Sequence, residues 1–314
     1  MPAPTGTCSF APERRAFLAT VTGIACLAGV CAFTSPPGAA ELSGGMESCP
    51  ADAGQTELIE KISQIERLSG GRLGAARLDC ATGSLFTYRG DEAFPMCSTF
   101  KVLAAAAVLK LHPQKLNNLV HIRPDEIVAW SPVTEKFVNR GIRVNQLCAA
   151  ALQYSDNTAA NLLLGMIGGP SGLTAFARSL GDSRFRLDRM EPALNSAEPG
   201  DMRDTTSPAA MAATLNTLLM GEALPLQHRE LLRQWLTECA TGASRIPAGT
   251  PAGWKVGHKT GSGPNGTSND VGILLPPAGT PVILALYLTQ CAAAANDRDA
   301  TLAATTSLLC PAGA

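Results

Sequence analysis

The chain has 314 residues, of which 46% are hydrophobic and 16% charged, and its formal net charge is −1. That composition excludes a disordered chain and suffices for a large core, in one compact unit or two intimate domains. It gives no electrostatic case for nucleic acid as a partner.

Residues 1–40 read as an export signal. Arg14-Arg15 precede Ala16-Phe17-Leu18 and an apolar run to about Phe33. Ser35-Pro36-Pro37-Gly38-Ala39-Ala40 then offers small residues for cleavage before Glu41. Arg-Arg-x-Phe-Leu points to the twin-arginine route and a periplasmic or secreted product. An uncleaved anchor helix would share the apolar run, but the turn and small residues favour cleavage. Val30 directly before Cys31 fits lipidation poorly. No later segment is long and apolar enough to span a bilayer, so no stable membrane association is expected after cleavage. Seven of the ten cysteines lie beyond the signal, and an odd number leaves at least one thiol free. With no Cys-x-x-Cys pair and four scattered histidines, neither a metal nor another cofactor is expected.

Residues 41–55 are rich in Gly, Ser and Pro and read as loose. Leu58, Ile59, Ile62, Ile65 and Leu68 then recur at helical spacing over Thr56–Leu68, and Gly70-Gly71 ends that helix. Two short strands follow, Leu73–Leu78 and Ser84–Tyr88.

The next element carries chemistry. Cys97-Ser98-Thr99-Phe100-Lys101 leads into Val102–Leu109, a run rich in Ala and Leu with no Gly or Pro, which predicts a helix ending before Pro113. Ser98 stands at an N-cap or first-turn position. Residues three apart share a helix face, so the Lys101 amine can approach the Ser98 hydroxyl. A desolvated amine can take the serine's proton, and the positive helix end favours negative charge developing nearby. A capped core helix with a snorkelling lysine would show the same residues, so the pattern needs partners elsewhere in the chain.

Helices are predicted over Val144–Gln153, Thr158–Ile167, Leu173–Leu180, Ala209–Leu219 and Gln227–Glu238. Residues 184–208 break the pattern, with four Arg, three Asp, two Glu and three Pro in a stretch without periodicity, and long loops of that kind are usually functional or disordered. Strands return at Trp254–Ser262, Asp270–Leu275 and Val282–Thr289, the first two flanking a Gly-Pro-Asn-Gly turn, and Ala300–Leu309 closes the chain as a helix. Strands at both ends and helices between them imply an α/β (α+β) fold. One antiparallel sheet of about five strands, with flanking helices, would take residues 56–95 and 239–314, and an all-helical domain would be inserted over 96–238.

Three further patterns follow Ser-x-x-Lys in order: Ser155-Asp156-Asn157 between two helices, Glu191-Pro192-Ala193-Leu194-Asn195 in the charged loop, and Lys259-Thr260-Gly261-Ser262 on a late strand. Each alone is weak. Together they resemble the motif set of class A β-lactamases and penicillin-binding proteins. Ser131-Pro132-Val133-Thr134-Glu135-Lys136 is similar to the cleft-rim loop of class A β-lactamases, Arg186–Asn195 to their Ω-loop, and Arg203-Asp204-Thr205-Thr206 to its end. The resemblance runs from about residue 56 to 310.

The resemblance implies a hydrolase that opens β-lactams, a small-molecule substrate, and a monomer. Ser98 would attack the lactam carbonyl, with the N–H groups of Ser98 and Ser262 as oxyanion hole. Lys101, or Glu191 through a water held with Asn195, would take the serine proton, and Glu191 would drive deacylation. Ser155 would relay a proton to the leaving nitrogen beside the charge of Lys259. Asn157 would hold the substrate's side-chain amide, and Thr260, Gly261 and Ser262 would meet its carboxylate. Arg189 and Asp204 would close the Ω-loop with an ion pair, so Asp204→Asn should slacken it.

Some positions depart from the family pattern. His258 stands where many relatives place an aspartate, and its partner is not evident. Trp130 replaces a rim phenol and would act as a gate. Ser268 occupies the place of an arginine found in some relatives, and Arg245 would supply a guanidinium from the neighbouring loop, steadied by Asp299. Ala105 occupies the position of Cys148's partner in some relatives, which leaves Cys148 free. Gly263 stands where carbapenem-hydrolysing relatives place a cysteine that bridges to the one before the nucleophile, which argues against carbapenemase activity. Ser262 keeps oxyimino-cephalosporins within range. Two other readings are a D-alanyl-D-alanine peptidase and an acylated sensor module. Glu191 with Leu194 and Asn195 argues against both.

Overall fold

The computed structural model describes residues 50–310; the expected export signal and the first part of the loose segment lie outside them. In chain order the elements are α1 (Pro50–Ser69), β1 (Arg72–Asp79), β2 (Leu85–Tyr88) and β3 (Phe94–Pro95). Then come α2 (Lys101–Leu111), β4 (Leu119–His121), β5 (Gly141–Arg143), α3 (Val144–Gln153), α4 (Asn157–Met166) and α5 (Gly169–Ser179). After β6 (Thr205–Thr206) follow α6 (Pro208–Leu219), α7 (Leu226–Thr237) and the single turn α8 (Ile246–Gly249). The chain ends with β7 (Lys255–Gly263), β8 (Thr267–Leu275), β9 (Val282–Thr289) and α9 (Ala295–Leu309).

The main sheet has five antiparallel strands in the order β2-β1-β9-β8-β7, so both ends of the chain build it, as the strand pattern predicts. Every residue of β9 is buried, which suits a central strand covered on both faces. Side chains alternate across a strand. Leu284, Leu286 and Leu288 therefore join Ile62 of α1 and Leu302 and Leu309 of α9 in one core. Ile283, Ala285 and Tyr287 face the other way, into a larger core with the helices. At the centre of that core runs α2, buried from Lys101 to Leu109. Its alanines let neighbouring helices approach closely, and of its buried residues only Lys101 carries a charge.

Several boundaries differ from those expected. Helix α1 begins at Pro50, inside the segment read as loose. Strand β8 begins three residues early, at Thr267, because its pairing with β7 runs to Gly263↔Thr267. Four two- or three-residue strands lack enough length for any periodic signal; β6 pairs with β3 and so pins the end of the charged loop beside the nucleophile's segment. Among the described residues no single helix is long and apolar enough to cross a membrane.

Candidate active site

Ser98 does not cap α2. It lies in a 3₁₀ turn, Cys97–Phe100, whose N-terminal residue Met96 makes no side-chain cap. Cys97 adopts φ 45°, a left-handed conformation that costs a non-glycine residue on the order of 1–3 kcal/mol. Two features hold the turn in place. Asn269 of β8 donates from Nδ2 to the carbonyls of Pro95 (2.8 Å) and Met96 (3.1 Å). Gly261 of β7 lies against the turn so closely that a Cβ there would stand 2.7 Å from the Met96 carbonyl oxygen. This contact sets the strand with Ser262 beside Ser98.

Beneath the serine, Lys101 and Glu191 form a fully buried ion pair, Nζ to Oε1, of 3.0 Å. The same Oε1 accepts from the Ser98 hydroxyl at 3.3 Å. Lys101 also donates to Asn157 Oδ1 (2.6 Å) and to the Ser155 carbonyl (2.8 Å). Burial holds its pKa below the ordinary lysine value, against the pull of the Glu191 charge. The expected approach of Lys101 to Ser98 is made through this carboxylate oxygen, which both groups share.

Glu191 is held from several sides. Asn195 Nδ2 donates to its Oε2, and Asn195 Oδ1 is buried without a protein partner. Asn161 of α4 clamps its backbone, accepting from the Glu191 N–H at 2.9 Å and donating to its carbonyl at 3.0 Å. The base of the loop is closed by Arg189 Nε to Asp204 Oδ2 at 2.6 Å, with Asp204 only 1% exposed. Asp204 Oδ1 also accepts the N–H groups of Asp188 (2.7 Å) and Arg189 (3.0 Å). A charge buried this way is costly to strip of its partner, roughly 3–5 kcal/mol.

Ser155 takes φ 58° between α3 and α4, and its hydroxyl lies between two lysines: Lys259 Nζ at 3.0 Å and Lys101 Nζ at 3.4 Å. Burial, and then the charge of Lys101, bring Lys259 down to about 7. Asp156 has no exposed surface and accepts from the Val133 and Thr134 N–H groups, the Thr134 hydroxyl and the Ala159 N–H. It thereby ties the rim loop to the start of α4. Asn157 Nδ2 donates to the Ala129 carbonyl at 2.8 Å.

Above these groups opens a cleft of about 420 Å³, lined by Ser98, Ser155, Asn157, Trp130, Thr260 and Ser262, among others. Trp130 stands on the rim, 65% exposed, with its indole N–H donating to the Tyr154 carbonyl at 3.1 Å. Arg245 reaches the cleft through β7: NH1 bonds the Gly261 and Asn269 carbonyls (3.0 and 2.9 Å), NH2 the Ser262 hydroxyl (2.9 Å) and Nε Asp299 (2.7 Å). His258 finds its partner in Asp270, 2.9 Å from Nδ1. Cys97, Cys148 and the other described cysteines carry free thiols. Of the sequence-derived residues, Arg189 and Asp204 lie away from the cleft, as supports of its loop. The backbone clamp of Asn161, the tie made by Asn269 and the bond of Thr241 to the Thr260 hydroxyl (2.8 Å) are absent from the sequence reading. Each is a single polar residue within an element, and nothing local marks its distant partner.

The model of the Beta-lactamase enzyme family matches residues 57–310. The chain is 49% identical to β-lactamase OXY-1 of Klebsiella oxytoca, over 85% of this chain and 92% of that protein. It is 48% identical to β-lactamase CTX-M-8 of Citrobacter amalonaticus, over 83% and 91%. Among solved structures, an ancestral class A β-lactamase superposes with a TM-score of 0.79 at 53% identity, covering 80% of this chain and 98% of that one. A class A enzyme of Rhodopseudomonas palustris, described as putative, gives 0.79 at 47% identity over the same shares. With the serine, both lysines and the Ω-loop carboxylate gathered in one cleft, the chain belongs to the class A β-lactamases.

Proposed function

We propose that this enzyme hydrolyses the β-lactam amide of penicillins and cephalosporins through an acyl-enzyme on Ser98. The reading is carried by Glu191, whose Oε1 meets both the Ser98 hydroxyl and the Lys101 amine while Asn195 holds Oε2. Ser98 Oγ attacks the lactam carbonyl as its proton passes to the Lys101–Glu191 pair, in which Lys101 can serve as base when Glu191 is removed. The N–H groups of Ser98 and Ser262 receive the developing oxyanion. The C–N bond breaks, and the nitrogen takes a proton through Ser155, with Lys259 lowering the cost of that transfer. A water held by Glu191 and Asn195 then attacks the ester, Glu191 takes its proton, and Ser98 is released.

Asn157 retains acceptor capacity on Oδ1 for a substrate amide N–H, and Thr260, Ser262, Lys259 and Arg245 form the surface for the substrate carboxylate. Trp130 flanks the entrance as a gate. We further read the protein as exported by the twin-arginine route and working as a monomer, with residues 96–238 as a helical domain set into an α/β domain. The test is turnover of a chromogenic cephalosporin with intact-mass detection. The native protein should turn over many equivalents. Glu191→Ala should lose turnover by roughly 10²–10⁴-fold, the range for a general base, and accumulate one adduct at Ser98. A stoichiometric burst with a persistent adduct in the native protein would overturn the reading.

A further inference from the structure

A second set of reactive side chains lies on the same face of β7 as Thr260, two residues away, and faces a different cavity. Cys239 follows α7 and is partly exposed. Its thiol lines the same cavity as the His258 ring and bonds the hydroxyl (3.3 Å) and carbonyl (3.5 Å) of Thr241. The other side of that ring is committed, since His258 Nδ1 lies 2.9 Å from both oxygens of Asp270. Asp270 has no exposed surface and also accepts the Ile246 N–H at 3.1 Å. Nδ1 is thus a donor fixed in orientation, and the ring edge that lines the cavity with Cys239 is held in place. A nucleophile beside a base that a third group orients is the arrangement of an activated thiol.

The surroundings reinforce this. Gly242 at φ +72° lets the 239–245 loop fold back over β7; a Cβ there would stand 2.3 Å from Thr260 Cγ2 and 3.6 Å from His258 Cε1. On the far side of the thiol a cavity of about 440 Å³ is lined by Cys239, His258, Thr237, Trp254 and Val256, among others, so a small molecule can reach sulfur. The charged groups acting on the thiol are His258 and Lys259, both on β7 and both cationic when protonated. Burial alone would push the thiol up, but the neighbouring His258 and Lys259 bring it down to about 7. Burial likewise pulls His258 down, and the Asp270 charge and hydrogen bond raise it to about 10. The contrast within the chain is sharp: burial raises Cys80 to about 11 and Cys97 to about 12.

We propose that Cys239, His258 and Asp270 form a modification site, a nucleophilic thiol that captures small α,β-unsaturated carbonyl compounds from the second cavity and thereby weakens substrate binding in the first. The S–C bond forms at the β carbon of the electrophile. The C=C π pair moves to the α carbon, and the proton held on His258 quenches it, so every atom of both reactants is kept and no oxidant is needed. The effect on the cleft has two routes. The adduct removes a negative charge that supports protonated Lys259. It also crowds Thr241, whose hydroxyl lies 3.3 Å from the Cys239 sulfur and 2.8 Å from Thr260 Oγ1. This second part rests on the assignment of Lys259 and Thr260 to the substrate carboxylate; the reactivity of the thiol does not.

The experiment treats the folded protein with limiting N-ethylmaleimide near pH 7, maps adducts by peptide mass, and measures cephalosporin KM before and after. The first adduct should fall on Cys239, about tenfold or more ahead of the partly exposed Cys80. Its rate should be half-maximal near pH 7, whereas that of Cys80 should still rise at pH 9. His258→Asn should slow the Cys239 adduct about tenfold. The modified native enzyme should show a raised KM, and Cys239→Ser should keep its own KM under the same treatment. Equal rates at Cys80 and Cys239, or a Cys239 rate that keeps climbing to pH 9, would overturn the site in the native protein whatever the variant does. A Cys239 adduct with unchanged KM would overturn the link to the cleft. Failure of the untreated enzyme to turn over cephalosporin would count against the hydrolase reading alone.

Discussion

The cleft has two walls that carry their polar groups in opposite ways. The helical wall places Lys101 and Glu191 fully out of water, with Asn157, Ser155 and Asn195 as internal partners. On the strand wall, Lys259 is equally buried but faces hydroxyl and carbonyl oxygens, and no carboxylate among the described residues pairs with it. Its neighbour Ser262 is exposed to the cleft. The helical wall is complete before substrate arrives, which suits groups that move protons. The strand wall has positive charge awaiting a partner, which suits recognition of an anionic substrate. Variants of the first should therefore act on kcat and variants of the second on KM.

The largest expected effect is on the helical wall. Lys101→Met keeps the length of the side chain but leaves the Glu191 carboxylate buried without its cation. Glu191 then lacks the cation that holds it in place and should fail as a base, with kcat for cephalosporin falling roughly 10³-fold, within the range for lost acid–base catalysis. A kcat within a factor of ten of the native value would break the division between the walls.

Next is the support of that wall. Asp204→Asn removes the charge that pairs Arg189 and gathers the N–H groups of Asp188 and Arg189. Lost stability of roughly 3–5 kcal/mol is expected from a buried ion pair with one partner removed. A slack loop misplaces Glu191, and an error near 1 Å in a catalytic group can cost about 10²-fold. Thermal unfolding and the decay rate of the Ser98 adduct measure the two effects separately. Unchanged decay would show that Asn161 alone suffices to place the carboxylate.

Lys259 sharpens the comparison through pH. Its charge is lost as pH rises through about 7, because burial and the Lys101 charge hold its pKa there. The protonated form is the one that draws a carboxylate, so kcat/KM should fall on the alkaline side, approaching tenfold per pH unit, with the midpoint belonging to the free enzyme. Bound substrate carboxylate restores the charge, so kcat should fall less. Lys259→Arg, which stays protonated, should flatten the limb, and a limb that persists in that variant would assign the titration elsewhere.

These features differ in how far the sequence discloses them. Residues whose chemistry is marked by a short pattern, such as Ser98 with Lys101 or Glu191 with Asn195, can be read because local spacing fixes their relative placement. The sheet is legible because strands recur at both ends of the chain, Val282–Thr289 being apolar and β-branched; that this strand is central comes from the pairing. What escaped the sequence acts at long range. The hydroxyl of Ser98 looks like a cap until Glu191, far along the chain, offers its oxygen. His258 reads as an unexplained substitution until pairing of β7 with β8 brings Asp270 to it. Pro50 and its neighbours lack the apolar period that would extend the helix prediction, so α1 was read short.

The smallest expected effect tests whether recognition on the strand wall depends on geometry or on charge alone. The Arg245 guanidinium serves two purposes. Nε and NH1 fix it to Asp299 and to the carbonyls of Gly261 and Asn269, while NH2 reaches the Ser262 hydroxyl at the cleft. Arg245→Lys keeps one positive charge near the same place but cannot span four acceptors with a single ammonium. If the fork matters, the ammonium should stay with Asp299 and leave Ser262 unsupported. A charged hydrogen bond is worth about 1.5–3 kcal/mol, and solvent at the cleft places the loss at the low end, near tenfold in KM. kcat should hold within about twofold, since no group of the helical wall touches this arginine. A rise in KM with kcat preserved would make Arg245 a binding residue in the sense argued for the strand wall. A fall in kcat of the same size would mean that the guanidinium, through Gly261, also holds the oxyanion side of β7 against the nucleophile's turn.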